Sequence, residues 1–280
     1  MTPDVRAAYE HCRTVARASG SSFYSGMRLL PADRRGELFA IYALARMIDD
    51  IADGPLPAEQ KLEQLARVRH ELEQIDQATD PVFIAVADAA RRRPIPLGAF
   101  TELVEGAELD ARGQVIENFG ELAHYCRCVA GSIGRLALGV FDVSDRDAAA
   151  SLADELGIAL QLTNIVRDVR QDEADGRVYL PREDLERFDC RVLDGRIDGP
   201  LELVLAFEAQ RALEYLDCSI GLVKLLDRRS AACVIAMAGS YRRLLRRMAA
   251  RPQLPMQGRV SLRPWEKGLV LARSVLEAAA

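Results

Sequence analysis

The chain has 280 residues, of which 49% are hydrophobic and 28% are charged. These are the proportions of an ordinary globular protein, and the length allows one large domain. The net charge of −5 carries no signature of nucleic-acid binding, and no apolar run approaches the roughly 18 residues of a membrane span. The N-terminus also lacks the apolar core of a signal peptide. We therefore expect a cytoplasmic protein with no nucleic-acid partner.

Cysteine and histidine spacing gives no sign of a disulfide framework or a metal centre. The six cysteines follow neither pattern, so we expect reduced and mostly buried thiols. Cys126 and Cys128 lie two residues apart in a predicted helix and therefore point to different faces. The three histidines, His11, His70 and His124, are scattered along the chain and indicate no metal cluster.

Charge is distributed unevenly along the chain. Residues 228–280 contain ten arginines and one lysine against two glutamates, a net charge of +9, so the remaining chain carries −14. A basic C-terminal part suggests an anionic partner, and we expect it to rest peripherally on the inner face of an anionic membrane. Solvated helix faces explain the same charges equally well.

The predicted elements are helices, because Val, Ile and Thr nowhere alternate with polar residues over the length of a strand. Gly- and Pro-containing breakers separate them. In chain order the predicted helices are Pro3–Ser19, Asp33–Asp53, Ala58–Gln77, Pro81–Arg92, Leu97–Ala111, Phe119–Phe141, Asp145–Glu173, Pro200–Leu226, Arg229–Ala250 and Pro264–Ala279. Ser144 is predicted to cap the helix that Asp145 begins. Because no long linker or repeat divides the chain, we expect residues 1–280 to form a single all-α domain.

The helix predicted over Asp33–Asp53 ends in the stretch RMIDDIADGP. The Gly-Pro pair stops the helix, so three acids occupy its last turn, where the helix dipole opposes each by roughly 0.3–1 kcal/mol. At helical spacing, one polar stripe on this apolar helix consists of Tyr42, Arg46, Asp49, Asp50 and Asp53. A solvated face with an Arg–Asp pair is the alternative to a functional site.

A second polar stripe lies in the helix predicted over Asp145–Glu173. Its members at helical spacing are Gly157, Gln161, Asn164, Asp168 and Asp172, with Arg167 beside them. An amide and two carboxylates in an apolar helix would be costly if they were buried without partners. Such oxygen ligands suit Mg²⁺, which binds carboxylates together with phosphate oxygens. Two facing stripes could hold several Mg²⁺ ions around a diphosphate, which Arg46 and Arg167 could also contact.

Small residues cluster at Gly157 and within the stretch YCRCVAGSIGRL, which begins at Tyr125. Glycine inside a helix costs up to about 1 kcal/mol relative to alanine, so these positions need a reason. Close packing between helices and a cavity wall that admits a long apolar substrate explain them equally well.

These residues together resemble the squalene/phytoene synthase family, the head-to-head prenyltransferases of the all-α class I isoprenoid synthase fold. The resemblance extends from Tyr9 to Glu277. The matching segments are DDIAD at 49–53, YCRCVAG at 125–131, NIVRDVRQD at 164–172 and RVYLP at 177–181, with Ser22-Phe23, Tyr42, Arg46, Gln161, Tyr241, Arg259 and Lys267. Each segment is short, but their order and spacing together are specific.

The resemblance implies a helical bundle with a central cavity and an Mg²⁺-dependent condensation of two prenyl diphosphates. It assigns two or three Mg²⁺ ions to Asp49, Asp53, Asn164, Asp168 and Asp172. It assigns substrate binding to Ser22, Phe23, Arg46, Val129, Leu160, Gln161, Arg167, Tyr241, Arg259 and Lys267. It places at the reaction centre Tyr42, Arg46, Asp50, Tyr125, Gln161, Arg167 and Tyr179. Ser21 is a departure, because some relatives carry a lysine there that contacts diphosphate.

The run GSSFYSGMRLLP, residues 20–31, is most similar to the bacterial presqualene diphosphate synthases of hopanoid pathways. It implies two farnesyl diphosphates as substrates and presqualene diphosphate as product, with no NADPH required for this step. Squalene, dehydrosqualene and phytoene synthesis are the alternatives within the family, the last from geranylgeranyl diphosphate. A non-catalytic assembly factor of this fold is an alternative from another class, and the two intact acidic motifs argue against it.

Overall fold

Helices make up 77% of the structure, which confirms the predicted all-α class. The computed structural model describes residues 2–18 and 22–278, and it describes only the backbone of Pro3, Ser22, Phe23 and Ser25. The helices are α1 (Pro3–Ala18), α2 (Ser22–Met27), α3 (Ala32–Asp53), α4 (Ala58–Glu73), α5 (Pro81–Arg92), α6 (Gly98–Arg112), α7 (Phe119–Cys126), α8 (Ser132–Val140), α9 (Arg146–Ala174), α10 (Arg182–Arg187), α11 (Leu201–Cys218), α12 (Arg228–Ala250), α13 (Leu254–Gln257) and α14 (Pro264–Glu277). Short 3₁₀ helices cover Ile75–Gln77 and Ser219–Leu225.

Two long helices, α3 and α9, carry the polar stripes through the centre of the molecule. Helix α3 packs against α1, α5, α6 and α8, while α9 packs against α8, α11 and α12. Both are enclosed on several sides, so apolar residues occupy most of their circumference. The buried apolar cluster around them extends from Ala8 in α1 to Leu262 before α14.

The helix predicted over Phe119–Phe141 is interrupted by a π-helical turn at Arg127–Gly131, called the π-turn below. It separates α7 from α8 and packs against α9 and α6. A Cβ atom on Gly157 of α9 would lie 2.4 Å from the backbone nitrogen of Gly131. Close packing therefore accounts for both glycines, because a larger residue at Gly157 would push α9 away from the π-turn.

A β-hairpin contradicts the expectation that the chain has no strands. Strands β1 (Arg191–Leu193) and β2 (Arg196–Asp198) pair antiparallel, with Val192 opposite Ile197. The two turn residues, Asp194 and Gly195, both have positive φ angles, of 51° and 75°. Asp-Gly is the preferred sequence for such a two-residue turn. The strands escaped prediction because three residues are too few to display alternation.

Other differences concern short elements and one cap. Helices α2, α10 and α13 have four to six residues each and were not predicted, because so few turns show no helical periodicity. The N-cap of α9 is Asp145, whose Oδ1 accepts a hydrogen bond from the Ala148 N–H at 3.1 Å. The predicted cap, Ser144, is wrong, because its hydroxyl donates to the Leu225 carbonyl instead.

The thiols match the expectation. All six cysteines are free, and five of them are buried, Cys218 being the exposed one. Across the described residues, no helix combines the length and apolar character needed to cross a bilayer.

Candidate active site

The C-terminal turns of α3 and α9 border a polar cavity of about 1100 Å³. It is lined from α3 by Arg46, Asp49 and Asp53 and from α9 by Gln161, Asn164, Arg167, Asp168 and Asp172. Neither helix carries a basic residue in its last turn, so two negative helix ends meet at one space. The structure therefore brings together the two stripes that the sequence predicted.

On the α3 side, the acids differ in their surroundings. Asp49 faces the cavity, and Asp53 forms an ion pair with Arg177, with 2.7 Å between Nη1 of the arginine and Oδ1 of the aspartate. Asp50 pairs with Arg46 at 2.5 Å and borders a separate shallow groove on the outer side of α3. The structure therefore does not bring Asp50 into the cavity with the other acids.

On the α9 side, arginines already compensate one acid. Asp168 is bound by both ends of the Arg167 guanidinium and by Arg259, whose Nε lies 3.1 Å from its Oδ1. The amide nitrogen of Asn164 donates to Gln161 at 3.2 Å, but its Oδ1 is buried and accepts no hydrogen bond from the described residues. A buried oxygen without a donor is a ready ligand for a cation.

Two of the acids hold protons unusually tightly. Enclosure by the protein raises the pKa of Asp49 to about 7, and nearby Asp53 adds to the rise. Enclosure likewise raises the pKa of Asp172 to about 7, with Asp168 as the next cause. Like charges crowded at two helix ends favour any bound cation. Carboxylate and amide oxygens are the donors that Mg²⁺ prefers, so the residues present fit that ion.

A stacked tyrosine pair forms one wall of the polar cavity. The rings of Tyr125 and Tyr179 lie 5.2 Å apart, and both hydroxyls donate to Asp110, at 3.0 and 2.7 Å. Burial raises the pKa of the Asp110 carboxyl, while these hydrogen bonds act against the rise. The same tyrosines also line a second space of about 720 Å³ on their other side.

An apolar cavity of about 250 Å³ adjoins the polar one. Both are lined by Arg46, Asp49, Val129, Gln161 and Asn164. The apolar part is lined by Tyr42, Leu160 and small residues that include Ala130, Gly134 and Gly157. The small residues therefore serve both purposes considered from the sequence, since they pack helices closely and also border a cavity.

Several predicted site residues lie elsewhere or outside the described part. Tyr241 is buried and hydrogen-bonds the side chains of Arg167 and Asn164, so it contacts the site through both residues. Lys267 is exposed on α14 and is not among the residues that line the polar cavity. The side chains of Ser22 and Phe23, and Ser21 as a whole, lie outside the described residues.

Sequence reasoning missed three groups at the cavity. Asp110 follows Leu103 and Ala107 at helical spacing, and all three line the cavity, so its position on the inner face of α6 was a usable signal. Arg177 belongs to a recognised segment but was not assigned to the site. Lys61, whose Nζ donates to the Ala52 carbonyl at 2.7 Å, carried no sequence signal.

The fold is shared with a known class of enzyme. A dehydrosqualene synthase, whose crystal structure contains a ligand, matches this chain with a TM-score of 0.86 over 98% of both chains, at 24% identity. The chain therefore has the isoprenoid synthase fold, as the resemblance implied.

The family model for squalene/phytoene synthase matches residues 16–266. The chain is 44% identical over 278 residues to a phytoene synthase of Mycobacterium tuberculosis, covering 97% of this chain and 92% of that protein. It is 32% identical over 262 residues to a presqualene diphosphate synthase of Rhodopseudomonas palustris, covering 90% of this chain and 94% of that protein. The chain belongs to the squalene/phytoene synthase family, whose members are transferases that act on prenyl diphosphates with divalent metal ions.

Proposed function

We propose that the protein condenses two farnesyl diphosphates head to head into presqualene diphosphate and releases one diphosphate. One observation carries the proposal: two acid-bearing helix ends face a polar cavity that continues into an apolar one. Diphosphate and its ions suit the first cavity, and a prenyl chain suits the second. The shared residues, Arg46, Asp49, Val129, Gln161 and Asn164, then lie where the two parts of a prenyl diphosphate join.

The polar cavity would hold the diphosphate end. The ligands for two or three Mg²⁺ ions are Asp49, Asp53, Asn164, Asp168 and Asp172, and the ions, when bound, neutralise the departing diphosphate. The same cavity is lined by Arg46, Arg167 and Arg259. Their guanidinium groups now pair with carboxylates and can instead donate hydrogen bonds to diphosphate oxygens. Arg177 and Lys61 extend this cationic rim.

The protein's other residues would guide the carbon chemistry. The C1–O bond of one substrate breaks, and the C2–C3 double bond of the other attacks the resulting allylic cation. Loss of a proton, which the released diphosphate can accept, then closes the cyclopropane. The reacting atoms would lie among the side chains of Tyr42, Tyr125, Gln161 and Tyr179. The apolar side chains of Val129 and Leu160 would exclude water from the prenyl chains.

The end wall of the apolar cavity supports the shorter of two candidate substrates. Phe141 and Leu138 line it at the end of α8, where a longer chain would require them to move. Similarity to the Rhodopseudomonas palustris protein supports the same product. The higher identity to a phytoene synthase favours phytoene as the second candidate.

Product analysis tests the proposal. The purified protein would be incubated with Mg²⁺ and either farnesyl or geranylgeranyl diphosphate, with and without NADPH, and the products identified by mass spectrometry. We expect presqualene diphosphate from farnesyl diphosphate, with no effect of NADPH. Phytoene from geranylgeranyl diphosphate alone would replace the proposal by the second candidate. A protein that turns over neither substrate would contradict both.

The proposal also places the protein in the cytoplasm, peripherally on an anionic membrane. Helix α14 buries Glu266, Val270 and Ser274 against the protein. Its other face exposes Trp265 (62%), Leu269 and Leu276 (71%), at helical spacing. Arg263, Lys267 and Arg273 flank this apolar stripe, and such a combination suits the lipid–water interface.

Vesicle sedimentation tests the membrane contact. We expect binding to anionic but not neutral liposomes, weakened by salt. The double variant Leu269→Ser/Leu276→Ser should bind less well, while Leu203→Ser, at a side chain of α11 that is 50% exposed, serves as the matched control. Absence of salt-sensitive binding by the unmodified protein would rule this contact out.

A further inference from the structure

Outside the active-site cavity, three metal-binding side chains meet where α6, α7 and the π-turn pack together. Nε2 of His124 lies 3.2 Å from Oε1 of Glu105 and 3.7 Å from Sγ of Cys128. All three donor atoms lie within 4.8 Å of one another. The fold therefore assembles a donor group that the scattered histidines did not indicate.

The separations between these donors correspond to the edges of a small coordination tetrahedron. Zinc binds sulfur at about 2.3 Å, nitrogen at about 2.0–2.1 Å and carboxylate oxygen at about 2.0–2.2 Å. In a tetrahedron these bond lengths place sulfur about 3.6 Å, and oxygen about 3.4 Å, from the nitrogen. The observed 3.7 and 3.2 Å are close to both values. One ion could therefore bind all three donors with little movement.

A proton relay is the other chemistry that Cys, His and Glu suggest. A relay requires the thiol at one ring nitrogen and the carboxylate at the other. Here both groups contact the same nitrogen, Nε2 of His124. This arrangement excludes a relay through the ring, whereas a metal ion bound to Nε2 lies within reach of both neighbours.

The surroundings leave the donors free to bind an ion. His124 and Cys128 are four residues apart, which places them on one helical face. Arg127 and Arg135, the neighbouring cations, are both held by Glu102 at 2.6 Å. Glu105 and His124 are about half exposed above the buried Cys128, so an ion can enter from solvent between them.

We propose that Glu105, His124 and Cys128 form a zinc-type transition-metal site with one open coordination position. Binding releases the thiol proton of Cys128 to solvent and leaves thiolate, imidazole and carboxylate as the ligands. The ion ties α6 and α7 to the π-turn. The next residue of that turn, Val129, lines both cavities, so the metal stabilises the wall they share.

Cobalt titration of the metal-free protein tests the site, because only a thiolate ligand gives Co²⁺ an intense charge-transfer band. Aspartates of the active site give no such band, so the signal reports a cysteine ligand, and the variants below assign it to Cys128. We expect the charge-transfer band to saturate at one Co²⁺ per chain and to disappear when Zn²⁺ displaces that ion. Cys128→Ser should abolish the band and His124→Gln should weaken binding at least tenfold. Cys218→Ser removes an exposed thiol and should leave the titration unchanged.

Thermal unfolding supplies a second measurement that remains valid if Cys128→Ser fails to fold. Zn²⁺ should raise the melting temperature of the unmodified protein and raise that of His124→Gln much less, since binding to the native state alone is stabilising. His124 is half-exposed, so its variant should fold. A missing charge-transfer band in the unmodified protein, or an undiminished band in either variant, would overturn the proposal.

Discussion

Acidic residues packed in the core and two acidic residues that face the polar cavity differ in whether an arginine pairs with them. Glu37 is fully buried between Arg92 and Arg93, at 3.1 and 3.0 Å, and Glu208 is buried against Arg211 at 2.7 Å. Asp49 and Asp172, by contrast, form no ion pair with any side chain in the described ranges 2–18 and 22–278.

The difference indicates which acids serve the fold and which await a ligand. An acid in a packed core must have a protein cation, because removing its partner leaves a costly buried charge. An acid that borders a cavity can remain unpaired, because solvent or a bound cation can reach it. An acid that faces the cavity is therefore a sign of function, whether it is unpaired, as Asp49 and Asp172 are, or held by an arginine, as Asp53 and Asp168 are.

The largest expected effect comes from removing one cavity acid. Asp53→Asn or Asp168→Asn should lower turnover with Mg²⁺ at least about 1000-fold, equivalent to about 4 kcal/mol, because each removes a proposed metal ligand. Circular dichroism should show an intact fold. Near-normal turnover in either purified variant would contradict the two-stripe metal site.

Glu37→Gln should lower the stability of the protein and leave its turnover unchanged. Loss of a buried, arginine-paired charge costs about 3–5 kcal/mol, and the partial exposure of both arginines places this case near about 3 kcal/mol. Urea unfolding should detect the loss, while turnover per folded molecule stays unchanged. An equal loss of turnover would remove the distinction between the two groups of acids.

The raised pKa of Glu208 should make the stability of the protein depend on pH. Burial raises its pKa to about 8, above the ordinary value of 4.5, so the folded state retains a proton that the unfolded state has released. The free energy of unfolding should therefore fall as pH rises, by about 2 kcal/mol between pH 6 and 7.5. Glu208→Gln should flatten this slope in urea unfolding. Glu214→Gln, exposed on the same helix, should leave it unchanged.

Asp110→Asn should have the smallest of these effects. The neutral amide weakens both tyrosine hydrogen bonds without removing a metal ligand, so we expect turnover to fall about tenfold, equivalent to about 1.4 kcal/mol. Tyr125→Phe should share the effect, and the double variant should lose little more than either single one. Fully additive losses would show that Asp110 does not act through Tyr125.

The sequence predicted the features that depend on long periodic stretches. Helices α3 and α9, their stripes and the facing of those stripes follow from apolar spacing and from the two acidic motifs. The hairpin and α2 were too short to show a period. Lys61 and Glu105 could not be placed, because their positions depend on how separate helices pack, which no local pattern records. Asp50 was expected at the reaction centre, but in the structure its side chain lies on the outer side of α3.

The tyrosine wall has a consequence for the lifetime of reactive intermediates. The rings of Tyr125 and Tyr179 lie between the polar cavity and the neighbouring space of about 720 Å³. Hydrogen bonds to the Asp110 carboxylate fix the orientation of both rings. An allylic cation reacts with the first water it meets, so this layer acts as a barrier between the reacting carbon atoms and the neighbouring space. Replacing either tyrosine by a smaller residue would let water reach the cation, and prenyl alcohols would then form in place of coupled product.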